Sequence, residues 1–303
     1  MLAYMPPKTR SSVAVRIVPY VFMLPALLYI AVFVFWPICE QIWLSLTNAR
    51  LVDPNGGQFV GMRNYARLLH DSGFYGSLRV TVIYTLLSVV FGVLLGVIAA
   101  LAIDRPFPGR TIARSMLLFG WAVPNSAAAL IWLWMYNERS GVFNQIATHF
   151  GAAPISWLTT PQMAMPAVVI VSVWQVAPFV MLVVLAALQS VPEEQREAAR
   201  IDGADALNVF RYVTFPHIRP AVQLAALLVT VWAIRRFDII FLLTGGGPLD
   251  STATIVVKLR QIAFENYQLG RASAYGVIGL ALALLVGASH FLLERRRSKH
   301  LIQ

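Results

Sequence analysis

Between Ile17 and Cys39 the chain carries no Asp, Glu, Lys or Arg. At 1.5 Å of rise per residue, a run of that length crosses a hydrocarbon core of roughly 30 Å as a helix. In lipid every backbone N–H and C=O must be paired within the segment, so helix is the conformation open to it. Comparable apolar runs recur at 80–103, 115–137, 164–190, 221–243 and 272–293. They predict an all-α membrane protein with six transmembrane helices. Composition agrees: 13% of the 303 residues are charged and 58% hydrophobic, with a mean hydropathy of +0.68, whereas soluble domains carry about a quarter charged residues. No small-residue cleavage site follows the first run, which therefore reads as a retained span. The single cysteine, Cys39, has no partner for an internal disulfide, and no Cys/His spacing suggests a metal site.

Six spans place both termini on one side. With that side taken as cytoplasmic, it holds the tail 1–16, the connection Asp104–Arg114, the loop 191–220 and the tail 294–303. These segments carry 14 Lys and Arg, against eight in the opposite loops, and Arg235 and Arg236 lie inside the fifth span. The bias is the positive-inside pattern. The net charge of +10 is spread over loops without a dense basic stripe, so anionic lipid headgroups account for it better than nucleic acid. Ser140 to Pro161 lacks charged residues, yet its Gly, Pro and Asn content predicts a folded external loop. Gly92 and Gly96 stand at the small-xxx-small spacing that permits close helix packing.

The one long, densely charged interval in the second half of the chain lies between Ser190 and Pro220. Ser190 and Glu193 stand at capping-box spacing, and Pro192 falls in the first turn, where its missing N–H costs nothing. Gly203 supplies the left-handed residue that stops this helix. Asp205 is placed to cap a second short helix, which Pro216 is expected to end. Two short helices with a tight bend result, tethered between two spans; the plain alternative is an ordinary surface helix pair.

Glu197-Ala198-Ala199, Gly203 and Val213-x-Phe215-Pro216 resemble, at their spacing, the EAA motif of ATP-binding-cassette importer permeases. The resemblance implies that Glu193, Glu197, Ala198, Ala199, Asp202, Gly203 and Pro216 form a coupling helix that docks on a cytoplasmic ATPase. Leu243-Thr244-Gly245-Gly246-Gly247-Pro248, Ala263-Phe264, Leu269-Gly270 and the series Trp132, Gly141, Asn144, Trp157-Leu158 are similar to the MalF/UgpA-like branch of the carbohydrate uptake family. The triple glycine reads as a turn capping the fifth span. It is no nucleotide loop, because a Walker A motif needs Gly-Lys and none of Lys8, Lys258 and Lys299 follows a glycine.

By the same resemblance this chain is a bacterial inner-membrane permease that binds no cofactor. ATP and Mg²⁺ would sit on a dimer of MalK-like ATPase subunits. A MalG-like second permease would complete the path, and an external solute-binding protein would deliver a carbohydrate or sugar derivative. The resemblance places substrate contacts at Gln175, Val176 and Phe179, and at Ile234, Arg235 and Asp238. An ionisable residue inside a membrane is functional by default. Arg235 and Asp238, three apart, share a helix face. They either pair with each other, which suits a neutral sugar, or Arg235 receives the phosphate, sulfonate or carboxylate of an anionic derivative. His290 reads as an interface residue near the end of the last span. An ion-coupled secondary transporter would show intramembrane acids in repeated halves; only Asp238 qualifies, and no repeat is visible. No HExxH, nucleophile elbow or paired carboxylates suggest a membrane enzyme.

Overall fold

The computed structural model describes residues 13–53 and 57–300, with side chains from Pro19 onward except at 290, 291 and 293–300. Residues 1–12, 54–56 and 301–303 and the side chain of His290 fall outside this set. The described residues form helices and connections, with two isolated bridges and no strand.

Among the described residues five helical rods are long and apolar enough to cross a membrane, and one bent pair, taken as a single span, brings the number to six. The first rod joins α1 (Val13–Ile30) to α2 (Trp36–Ser45) through a π turn. After the short α3 (Arg63–Leu69), α4 (Ser72–Asp104) starts at Asp71, whose carboxylate accepts the Gly73 N–H at 2.9 Å. The central element is α8 (Pro161–Leu188). It is apolar on all sides, as a helix enclosed by others must be, and 67% of its most apolar window is buried. The window of the first rod is 0% buried. Helix α4 crosses α8 where Gly92 meets Val176 and Gly96 meets Val180, so the spacing of these two glycines has a packing cause. Tyr84 and Ser172 share a buried hydrogen bond of 2.8 Å across the same interface.

The third expected span, 115–137, is not one helix. Helix α5 (Arg110–Ala122) and α6 (Asn125–Met135) meet at 100°. The ring of Pro124 disfavours helical torsions at the preceding residue, and Val123 is extended, with φ −73° and ψ 130°. The loop after α6 is folded around α7 (Val142–His149) and Asn144. Asn144 donates to the Glu138 and Ile155 carbonyls and accepts from the Ile155 N–H and Trp157 Nε1, at 2.9–3.2 Å. Nearby, the Thr159 and Ser156 hydroxyls hold the Glu138 carboxyl below the usual range.

The fifth span differs most from expectation. After α9 (Glu193–Ile201), α10 (Ala206–Val209) continues through a π turn into α11 (Phe215–Ile234), one rod from Ala206 to Ile234. Pro216 does not end the second short helix. It sits in the first turn of α11, just after the π turn in which the Phe215 N–H reaches back to the Phe210 carbonyl. That wider register carries the helix past a residue with no N–H to give. The span then breaks at Arg235–Phe237 and resumes as α12 (Asp238–Thr244), capped by left-handed Gly245 at φ 61°. Helix α13 (Ile255–Arg260) and α14 (Leu269–His300) complete the chain. Arg271 on α14 is paired with Asp71 at the start of α4.

Candidate functional site

The breaks at Val123–Pro124 and at Arg235–Phe237 open onto one cavity of about 510 Å³. It is lined by Trp121, Asn125, Gln175, Val176, Trp232 and the Arg235–Asp238 segment. Gln175 lies halfway along α8 and is 4% exposed, so the polar group stands at mid-span depth. Its Nε2 donates to the Asn125 Oδ1 at 2.7 Å and to the Val123 carbonyl at 3.3 Å, an acceptor that the end of α5 leaves free. Its Oε1 accepts from the Arg236 guanidinium at 2.5 Å. Asn125 Nδ2 in turn donates to the Asp238 carboxylate at 3.2 Å.

Of the residues expected at a substrate site, Gln175, Val176, Arg235 and Asp238 line this cavity. Phe179 stands behind its wall, packed on Trp121 and Trp232 with ring centroids 6.1 and 4.7 Å apart. Ile234 is buried and does not line the cavity. Asn125 and Arg236 were not singled out from the sequence. The signal for Asn125 was an amide beside a proline in an apolar run, but its role depends on a bend of 100°. The expected alternative of an Arg235–Asp238 pair is not formed; the helix ends between them, and Asp238 is held by Asn125. Arg235 caps the C-terminus of α11 and is exposed on the cavity wall. A cation at a helix C-terminus gains about 0.3–1 kcal/mol, less than the roughly 2.5–3.5 kcal/mol cost of arginine at mid-membrane.

At the other end of α11, α9 closes in a Schellman turn. Gly203 has φ 87°, its N–H bonds to the Arg200 carbonyl, and the Ala204 N–H bonds to the Ala199 carbonyl at 2.9 Å. Asp205 caps α10 by accepting the Asn208 N–H at 2.8 Å. Ser190 does not complete a capping box: its hydroxyl donates to the Ala187 carbonyl, and Pro192 occupies the N-cap. Glu193, Glu197 and Asp202 all lie on or at the end of α9, with Ala198 and Ala199 between them. Pro216 is separated from them by α10 and the π turn.

Residues 92–299 match the family described as binding-protein-dependent transport system inner membrane component. The chain belongs to that family. It is 40% identical over 266 residues to the trehalose/maltose transport system permease protein MalF of Thermococcus litoralis, covering 88% of this chain and 87% of that one. It is 30% identical to the sulfoquinovosyl glycerol transport system permease protein SmoG of Agrobacterium fabrum, covering 93% and 92%. A bacterial alginate ABC transporter, solved with an alginate pentasaccharide-bound periplasmic protein, contains a chain of the same fold. The TM-score is 0.83 at 19% identity, with 97% of this chain and 99% of that chain covered.

Proposed function

We propose that this chain is one of two permease subunits of an ATP-driven importer for a carbohydrate or sugar derivative. The observation that carries the reading is the single rod from Ala206 to Ile234. It begins at the bend after α9 and ends at the polar cavity, so a push on one end reaches the other. In this reading α9 docks on one subunit of a dimer of MalK-like ATPases, which bind the ATP and Mg²⁺. A MalG-like permease closes the open side of the cavity, and an external binding protein delivers the substrate. Both termini lie in the cytoplasm of a bacterial cell. Gln175 and Asn125 are suited to sugar hydroxyls, and the wall of Trp121 and Trp232 to the apolar face of a pyranose ring. The relatives named for trehalose/maltose and for sulfoquinovosyl glycerol support the substrate class.

Gly203→Val tests the coupling. The added side chain meets open space, so the cost falls on the left-handed backbone, about 1–3 kcal/mol for a residue of this kind. In the reconstituted complex, substrate-stimulated ATPase and uptake are both expected to fall while the subunit still inserts. Wild-type stimulation with wild-type uptake would remove α9 from the coupling path.

A further inference from the structure

Four side chains, from α6, α8, α12 and the break between α11 and α12, form one hydrogen-bonded series in the cavity: Arg236 to Gln175, Gln175 to Asn125, Asn125 to Asp238. The series begins on a cation and ends on an anion, so it is closed in charge. Arg235 stands outside it. This side chain is exposed on the same wall and makes no hydrogen bond or ion pair among the described residues. The only carboxylate lining the cavity is that of Asp238, already engaged by Asn125. The cavity therefore carries one positive charge that no carboxylate among the described residues answers.

Resting on the sugar-importer reading, we infer that Arg235 docks an anionic group, a carboxylate, phosphate or sulfate-type oxyanion, on the transported sugar. A guanidinium offers such groups two parallel N–H donors in a fixed fork. When the second permease closes the cavity and water leaves, an oxyanion supplies the counter-charge that a neutral sugar lacks. The aromatic wall beside it, Trp121 and Trp232, takes the ring while Arg235 takes the acid. A purely capping role at the end of α11 needs the positive charge alone, not the fork, and that difference is measurable.

The assay is ligand-dependent thermal stabilisation of the detergent-solubilised complex with all its subunits. The probes are trehalose, glucuronate, glucose 6-phosphate, glucose 6-sulfate, inorganic phosphate and aspartate. Wild type is compared with Arg235→Gln and Arg235→Lys. At least one acidic sugar is expected to stabilise wild type, and which one identifies the oxyanion. Its apparent Kd should rise about tenfold or more in Arg235→Gln, equivalent to roughly 1.4 kcal/mol, and by less in Arg235→Lys. Stabilisation by trehalose alone, equal in wild type and Arg235→Gln, overturns the inference and leaves the sugar reading standing. So does the absence of stabilisation by every acidic sugar. Phosphate or aspartate binding as tightly as the acidic sugars, with the same loss in Arg235→Gln, upholds the anion site and removes the sugar.

Discussion

Gly96 lies so close to α8 that an added Cβ would stand 2.5 Å from the Val180 Cβ and 2.8 Å from the Ala177 carbonyl oxygen. Backbone cannot retreat from such a contact without parting the two helices. Gly96→Leu should therefore cost about 1–3 kcal/mol or more and lower the denaturation midpoint of the purified complex. Gly76→Leu, on the same helix but facing open space, should change it little; equal behaviour of the two variants would refute the crossing. Gly96, Gly203 and Asp205 were all legible in the sequence, because spacing and local backbone chemistry decide them. Asn125 was not. Its partner Gln175 is fifty positions away, and no local rule brings the two together.

The helices that can be read from apolar length alone are α4, α8 and α14, where uninterrupted hydrophobicity dictates the element. Their interruptions are harder, since a proline is either a kink, a stop or a tolerated first-turn residue according to its neighbours. Pro124 stops α5, while Pro216 interrupts nothing, because the π turn before it carries the register past. The short helix α9 is held by Arg196, whose role comes from elements distant in sequence. Its guanidinium lies 3.2 Å from Glu193, 3.8 Å from Asp104 at the end of α4, and donates to the Leu188 carbonyl of α8 at 3.3 Å. The side chains of Arg196 and Asp104 are 16% and 23% exposed, placing the pair between surface and buried ion pairs, at about 1–2 kcal/mol. If this strut transmits the push from α9, Arg196→Ala should keep the ATPase running while uptake drops about three- to tenfold. Uptake and ATPase falling in equal proportion would instead mean a loss of assembly.

At the scale of the molecule, orientation follows from where the start of α10 and the turn after α12 face. Cysteines placed at Leu249, which is exposed in the turn after α12, and at exposed Ala206, with Cys39 replaced by serine, should react with an impermeant thiol reagent from opposite sides of the membrane. Labelling of both from outside would separate α9 from any cytoplasmic ATPase. Large apolar side chains exposed along the first rod, α4 and α5, among them Phe22, Phe33, Leu86, Phe91 and Met116, give the isolated chain a surface that water would not tolerate. Lipid is what such a surface requires, together with the second permease in the proposed importer. The π turn at Phe210–Thr214 sets the clocking of that assembly. Each residue of an α-helix advances the screw by about 100°, so one residue lodged in a widened turn fixes the azimuth of Trp232 and Arg235 relative to the bend at Gly203. A one-residue deletion there would barely shorten the rod, yet it would aim the cavity wall and the coupling bend in directions that no longer correspond.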